Sequence, residues 1–141
     1  MQCKIEKLKV DDVLELVKLL EKVFEKKIYV DGIQTLATKS DALVLVAKID
    51  NKIVGHASVN ICLDLFTNTK YLYLNYFCVD SDYRGLGIAD KLIDELEKYA
   101  NENDISYMKF TSSSKRVAAH KFYKKHDYSI RDTSVFIKYF K

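Results

Sequence analysis

The chain has 141 residues, of which 48% are hydrophobic and 30% are charged. This length is typical of one domain, and the composition excludes a mainly disordered protein. The net charge of +3 comes from 23 basic and 20 acidic residues that are intermixed along the chain, so no basic arm is available for a nucleic acid. We therefore predict a single domain over residues 1–141 that binds no nucleic acid.

The sequence shows no sign of a membrane-spanning segment, a signal peptide, a disulfide framework or a zinc site. No stretch approaches the roughly 18 consecutive apolar residues of a membrane-spanning helix, and the first ten residues lack the apolar core of a signal peptide. Cys3, Cys62 and Cys78 are odd in number and widely spaced, which favours neither a disulfide framework nor a zinc site. We predict a cytoplasmic protein that contacts no membrane and is either a monomer or a homodimer.

The hydrophobic pattern predicts an alternation of strands and helices. It predicts strands at residues 4–10, 42–49, 53–65, 71–79, 106–111 and 134–140, and helices from residue 13 and over residues 88–100 and 115–126. Residues 26–41 are predicted to be a loop with at most a short helix. The polar residues 50–52 fit the turn of an antiparallel hairpin. This order calls for a mixed sheet that is covered by helices.

Two local patterns carry further expectations. Asp12 and Glu15 are placed like an N-terminal cap of the first helix. In the strand at residues 53–65, His56 and Ser58 lie on the more polar face, because side chains alternate between the faces of a strand. We expect that face to look toward solvent or a cleft.

A glycine turn at residues 79–89, VDSDYRGLGIA, joins an apolar strand to an amphipathic helix. Gly85 and Gly87 let successive N–H groups converge, and the helix adds its unpaired donors and the positive end of its dipole. A simple tight turn is the alternative. A dinucleotide fingerprint is excluded because Asp90 stands where its third glycine or alanine belongs, and no Walker Gly-Lys-Ser/Thr is present. The turn therefore predicts a different anionic cofactor.

Arg84-x-x-Gly87-x-Ala89 resembles the acetyl-CoA pyrophosphate motif of the GNAT superfamily of N-acetyltransferases. The preceding DSDYRG at residues 80–85, and AHKFY at residues 119–123, resemble further motifs of that family. The resemblance implies an α/β fold with a mixed, mostly antiparallel sheet of about six or seven strands, splayed at the fourth strand and flanked by about four helices. It also implies acetyl-CoA as co-substrate in the resulting gap, and no metal.

By the same resemblance, the fourth strand contacts pantetheine through its backbone and the glycine turn contacts the pyrophosphate. The family's asparagine before the last helix would fall at Arg116, so a nearby serine, Ser112, Ser113 or Ser114, is the alternative contact. The predicted cofactor-binding residues are Phe77, Cys78, Val79, Arg84, Gly85, Leu86, Gly87, Ile88, Ala89 and Ser113.

Acetyl transfer to an amine also needs a proton for the departing thiolate. Tyr123 matches the family tyrosine, and a phenol with a pKa near 10 can protonate a thiolate whose parent thiol has a pKa of about 8.5. Simple aromatic packing is the alternative role. A backbone N–H of Cys78 or Val79 could polarise the thioester carbonyl.

The general base stays open at this stage. Asn75 stands where many family members carry glutamate, and a carboxamide cannot accept a proton at neutral pH, so we assign it to hold a water or the amine. His56 and His120 are the alternative bases. For each of them the competing interpretation is an ordinary histidine without a catalytic role, solvated at His56 and packing or capping at His120. Cys78 is expected to be a strand-core thiol and not a nucleophile.

The function implied by the resemblance is transfer of an acetyl group from acetyl-CoA directly to a primary amine. The Ala-His-x-Phe-Tyr helix resembles that of acetyltransferases of small amines such as aminoalkylphosphonates or aminoglycosides, which favours a small-molecule acceptor. A peptide or protein amine is the alternative acceptor. A non-catalytic acyl-CoA-binding or sensing module is the alternative class, supported by the missing glutamate.

Overall fold

The computed structural model describes residues 2–141, and their contacts divide into one unit that ends at Phe110 and a second unit, Thr111–Lys141. The first unit holds β1 (Cys3–Lys7), α1 (Val13–Phe24), α2 (Val30–Thr38), β2 (Ala42–Ile49), β3 (Lys52–Asp64), β4 (Thr69–Val79), α3 (Ile88–Glu102) and β5 (Ile105–Lys109). The second holds α4 (Val117–Lys125). The sheet order is β1-β2-β3-β4-β5, with antiparallel pairs except for the parallel pair of β4 and β5.

The predicted fold class is confirmed, but the strand count is lower than predicted. Within residues 2–141 the sheet has five strands and not six or seven, and it is accompanied by four α-helices. The predicted strand at residues 134–140 does not form in the structure. Val135 and Ile137 are exposed there, although their residue types favour strands. A strand-like pattern becomes a strand only where another strand pairs with it, which the sequence pattern does not specify.

Helices cover both faces of the sheet. α1 and α2 pack on one face, where Leu16 and Ile33 share a core cluster with Val46 of β2. Gly55 is on the opposite face, since it pairs with Ala47, and α3 packs there through Ile88 and Leu92. The central part of β3 is therefore buried from both sides.

This double cover corrects the prediction for the polar face of β3. His56 is 2% exposed and Ser58 is 1% exposed, so this part of the face looks neither toward solvent nor into an open cleft. The two residues lie on the face that α1 and α2 cover, because His56 pairs with Val46. Polar residues on one face indicate solvent only when no second layer of helices is present, and the alternation pattern alone does not reveal that layer.

The connections of the first unit follow the sequence closely. Asp50 and Asn51 both have positive φ, 51° and 63°, as expected for the two-residue turn of the predicted hairpin. The predicted side-chain cap of α1 by Asp12 and Glu15 does not form. Asp12 instead accepts from the backbone N–H of Lys9 at 3.2 Å, capping the short 3₁₀ turn Val10–Asp12 that precedes α1, and from Lys48 at 2.9 Å. Glu15 accepts from the backbone N–H of Ile53 at 2.7 Å. Both acids link α1 to the sheet.

The close approach of α3 to β3 depends on the absence of a side chain at Gly55. A Cβ there would lie 3.1 Å from Leu92 Cδ1 and 3.2 Å from Ile88 Cγ2, both in buried side chains. Because a well-packed core cannot easily make room for an added methyl group, Gly55→Ala is expected to lower the free energy of unfolding by about 1–2 kcal/mol. Chemical denaturation measures this. Gly32→Ala, in open space within α2, is the control and should not destabilise.

Candidate functional site

A bulge interrupts β4 where it runs beside the centre of β3. His56 pairs with Cys78, and Ser58 pairs with Asn75. Tyr76 and Phe77 of β4 therefore stand opposite the single β3 residue that lies between His56 and Ser58. Tyr76 has φ +55°, in the left-handed region, which is rare for a bulky aromatic residue. Such backbone conformations persist only where their surroundings hold them, and they concentrate at functional sites.

The sheet also separates on the other side of β4. Parallel pairing with β5 runs from Lys70 to Tyr73, which pairs with Lys109 at the end of β5. β4 continues for six more residues, to Val79, and apart from the two bulge residues these pair with β3. The bulge and the predicted pantetheine-binding residues lie on this part of β4. The geometry agrees with a sheet that opens at its fourth strand.

His56 binds the bulge directly. Its Nδ1 lies 2.8 Å from the carbonyl oxygen of Tyr76, and its Nε2 lies 2.6 Å from Ser58 Oγ. A carbonyl oxygen only accepts, so Nδ1 carries the proton and donates. Burial lowers the pKa of His56 to about 4, against a smaller raising effect of the hydrogen bond to Tyr76. The imidazole is therefore neutral at pH 7, and its Nε2 accepts from the Ser58 hydroxyl.

The glycine turn has the backbone geometry that an anion site needs. Gly85 and Gly87 have φ values of 78° and 76°, and α3 begins at Ile88, directly after Gly87. Chain neighbours aside, a Cβ at Gly85 would meet no heavy atom of residues 2–141 within 4 Å, and one at Gly87 would meet Asp90 Oδ2 at 4.0 Å. The space in front of the first turn of α3 is thus open to a phosphate group, which fits the predicted role.

Asp80 fixes the start of the glycine turn to α1. Its Oδ1 accepts from Lys22 Nζ at 2.7 Å and from the backbone N–H of Asp82 at 3.0 Å, and its own N–H donates to Val54 at 2.7 Å. Burial raises the pKa of the Asp80 carboxyl, but the bonds from Lys22 and Asp82 outweigh it, so the pKa is lowered. Lys22 also contacts Asp82, which is exposed, at 2.8 Å.

The two aspartates that share Lys22 are expected to differ in their effect on stability. Asp80→Asn should lower the free energy of unfolding by about 1–2 kcal/mol, because it weakens a charge-assisted hydrogen bond at a buried position. Asp82→Asn, the control, removes only an exposed contact and should cost about 0.5 kcal/mol or less. Chemical denaturation of the two variants beside the wild type measures both free energies of unfolding. An equal loss of stability in the two variants would contradict the anchoring role of Asp80.

The pH dependence of the same variants has a defined sign. The folded-state pKa of Asp80 is below the ordinary 3.8, so its stabilisation is complete above that value and is lost as the pH falls through the folded pKa. The stability difference between the wild type and Asp80→Asn should therefore be constant at neutral pH and shrink below about pH 3.8.

The second unit carries the remaining predicted residues. Tyr123 lies on α4 and is buried, with its ring 5.7 Å from that of Phe122. Burial raises the pKa of Tyr123, partly offset by the charge of Arg116, so the phenol keeps its proton at neutral pH. Ser113 is exposed, and its Oγ accepts from the backbone N–H of Lys115 at 3.3 Å.

Two polar atoms of the second unit are orphaned. Ser112 Oγ and His120 Nε2 are buried without a hydrogen-bond partner in the part of the chain that the structure describes. Buried polar groups normally have a partner, so each of these atoms suits a contact with a bound ligand. Of the two serines, the Ser113 hydroxyl already has a partner within its own unit, whereas the Ser112 hydroxyl has none among residues 2–141.

The predicted residues of the first unit lie along one continuous stretch of chain. Asn75 is half-buried directly before the bulge, which includes Phe77. Cys78 and Val79 follow the bulge, and the 3₁₀ turn Ser81–Tyr83 leads into the glycine turn. Cys78 is 8% exposed within the core cluster, as expected for a strand-core thiol. The prediction missed Lys22, which is 58 residues from Asp80, so no local motif signals their contact.

Across residues 2–141, no group of three or more histidine, cysteine, aspartate or glutamate side chains could hold a metal ion. None of the helices that the structure describes is long and apolar enough to cross a membrane.

Comparison with known proteins agrees with this geometry. The sequence model of the acetyltransferase (GNAT) family matches residues 12–128. An aminoglycoside acetyltransferase from an uncultured soil metagenomic sample is 25% identical, with 97% of this chain and 95% of that chain covered and a TM-score of 0.84.

Two other solved structures share the fold at lower identity. A ribosomal-protein-alanine N-acetyltransferase from Brucella melitensis biovar Abortus 2308 is 23% identical, covers 99% and 100% of the two chains and has a TM-score of 0.85. A transcriptional regulator from Bacillus halodurans C-125 is 17% identical, covers 98% and 100%, and has a TM-score of 0.90. With the family model matching most of its length, the chain belongs to the acetyltransferase (GNAT) family.

Proposed function

We propose that this chain, acting as one catalytic domain, transfers an acetyl group from acetyl-CoA directly to the primary amine of a small molecule. The observation that carries the proposal is the glycine turn, in which two residues with positive φ precede the open N-terminus of α3. Membership of the GNAT family supplies the reaction class. Localisation in the cytoplasm stays a prediction.

The cofactor contacts divide between two backbone segments. The N–H groups of residues 84–89 bind the pyrophosphate, since unpaired donors and the helix dipole favour an anion there. Residues 77–79, on the part of β4 beyond β5, bind pantetheine through their backbone. Ser112, whose buried Oγ lacks a partner among the described residues, supplies a further hydroxyl to the cofactor.

The chemical step needs no covalent enzyme intermediate. The neutral amine attacks the thioester carbon, the carbon–sulfur bond breaks, and the departing thiolate takes the proton of the Tyr123 hydroxyl. The ammonium proton passes to water, which Asn75 helps to hold, and the phenolate is reprotonated from solvent. Because burial raises the pKa of Tyr123, the phenol is protonated at neutral pH, which is the form that a proton donor must have.

The acceptor is proposed to be a small amine. The support is the aminoglycoside acetyltransferase among the similar structures, at 25% identity, together with the resemblance of the α4 motif to acetyltransferases of small amines. An N-terminal or lysine amine of a protein is the second candidate, since a fold of the same kind occurs in a ribosomal-protein-alanine N-acetyltransferase. An amine panel that contains both classes separates the two.

The absence of a carboxylate at Asn75 predicts a specific pH response. Because a carboxamide accepts no proton, the enzyme should select the neutral fraction of the amine. For two acceptors whose amine pKa values differ by about two units, the rising limb of kcat/KM should shift by the same amount. An inflection that is common to both acceptors and disappears in His120→Ala would instead identify a histidine base.

The same position supports one alternative of another class. With asparagine at position 75, the chain could bind acyl-CoA as a sensing module without turnover. Such a module would bind acetyl-CoA and release no thiol with any amine of the panel. Thiol release that depends on the amine supports the enzyme and contradicts the module.

A further inference from the structure

The bulge of β4 depends on a contact that lies outside the sequence motifs. Tyr76 has a left-handed backbone, which is unfavourable for a residue with a side chain and therefore needs support from its surroundings. Two contacts supply that support. The carbonyl oxygen of Tyr76 accepts from His56 at 2.8 Å, and the Tyr76 ring meets the ring of Phe24 edge to face, with centroids 6.0 Å apart.

The His56 contact is fixed in direction by its second hydrogen bond. Ser58 Oγ lies 2.6 Å from Nε2, and a hydroxyl that donates to Nε2 leaves the ring proton on Nδ1, where it must be to reach the carbonyl of Tyr76. The ring is 2% exposed, so water does not compete for either nitrogen. Ser58, His56 and Tyr76 thus form a directed chain of two hydrogen bonds that ends at the bulge.

These two hydrogen bonds act on the predicted cofactor site through the peptide group that follows Tyr76. The carbonyl of Tyr76 belongs to the peptide group that carries the N–H of Phe77, the first of the predicted pantetheine-binding residues. Fixing that carbonyl fixes the plane of the peptide and hence the direction of this N–H. A rotation of this peptide would change the backbone surface that the bulge offers to the pantetheine arm, at a distance along the chain from the glycine turn.

We propose that His56, in its neutral Nδ1–H form and oriented by Ser58, is a positioning residue that sets the bulge of β4 for contact with the acyl-pantetheine arm. This inference rests on the proposed function, since it gives His56 a positioning role at the same cofactor site. His56 does not touch the substrate and is not the general base, because both ring nitrogens are committed within the fold.

The test compares variants that keep or remove the donor to Tyr76. In His56→Asn the amide nitrogen can occupy the place of Nδ1, whereas His56→Leu has no donor. We expect His56→Leu to weaken acetyl-CoA binding by about tenfold, the effect of one lost hydrogen bond to a buried group, and to lower kcat. His56→Asn should restore most of both.

A second ligand separates positioning from general loss of structure. Phospho-ADP, the nucleotide half of coenzyme A, lacks the pantetheine arm, so its affinity should be the same in the wild type, His56→Leu and His56→Asn. A parallel loss for phospho-ADP and acetyl-CoA, or unchanged acetyl-CoA binding and kcat in His56→Leu, would overturn the proposal. If the wild type itself bound neither ligand, the proposed function would fail instead.

The tautomer gives a readout that is independent of the ligands. Nitrogen-15 NMR of the wild type at neutral pH should find the His56 proton on Nδ1, and a proton on Nε2 or on both nitrogens overturns the proposal. If His56→Leu does not fold, Ser58→Ala takes its place in the comparison. Acetyl-CoA affinity should then fall several-fold with phospho-ADP affinity unchanged, and full retention of acetyl-CoA affinity overturns the proposal.

Discussion

Replacing Tyr123 with phenylalanine is expected to lower kcat by roughly 10²- to 10⁴-fold, the usual contribution of a general acid. The phenol is buried on α4 and its pKa is raised, so it holds a proton that a departing thiolate can take. Phenylalanine keeps the aromatic ring and removes only the hydroxyl. Steady-state kinetics with saturating acetyl-CoA measure the loss.

Two controls separate acid catalysis from packing in this variant. Acetyl-CoA affinity should change little in Tyr123→Phe, because the hydroxyl acts in the transition state and not in ground-state binding. Tyr139→Phe removes a hydroxyl from an exposed tyrosine of the same unit and should keep the wild-type kcat. A kcat of Tyr123→Phe close to that of the wild type would leave Tyr123 with a packing role alone.

Gly87→Val is expected to have the second large effect, on cofactor affinity. The residue has φ +76°, which a β-branched side chain adopts only with strain, so the turn must change its backbone to accept valine. The N–H groups that we propose for the pyrophosphate then change direction, and acetyl-CoA should bind about tenfold more weakly or worse. Titration calorimetry measures the affinity directly.

A stability readout complements that titration. At about 100 times its dissociation constant, acetyl-CoA should stabilise the wild type by about 2.7 kcal/mol, and the same concentration should stabilise Gly87→Val far less. Gly32→Val makes the same replacement in α2, where the structure offers open space, and should keep wild-type affinity. Wild-type affinity in a well-folded Gly87→Val protein would exclude the glycine turn as the pyrophosphate site.

The glycine turn and the β2–β3 hairpin could be predicted because both are determined by residues adjacent in sequence. The sequence predicts that Gly85 and Gly87 curl the chain, and both adopt positive φ. Asp50 and Asn51 likewise form the predicted turn of the hairpin. The family assignment follows from the same local signal and is confirmed over residues 12–128.

The features that sequence reasoning missed depend on contacts between distant residues. Lys22 and Asp80 are 58 positions apart, and nothing near either residue signals the pair. The alternation pattern predicts an open polar face for His56, whereas the structure buries it beneath α1 and α2. The left-handed conformation of Tyr76 is equally invisible in sequence, because tyrosine normally avoids it and the hydrogen bond from His56 supports it.

The most direct test of the account is a turnover experiment with the purified wild-type protein, acetyl-CoA and a panel of small and peptide amines. Mass spectrometry of the amines and a thiol assay follow both products of the same step. We predict thiol release that requires an amine, with one acetyl group gained by a small acceptor for each thiol and both signals nearly abolished in Tyr123→Phe. Tight binding of acetyl-CoA with no thiol release for any amine would contradict the enzymatic account.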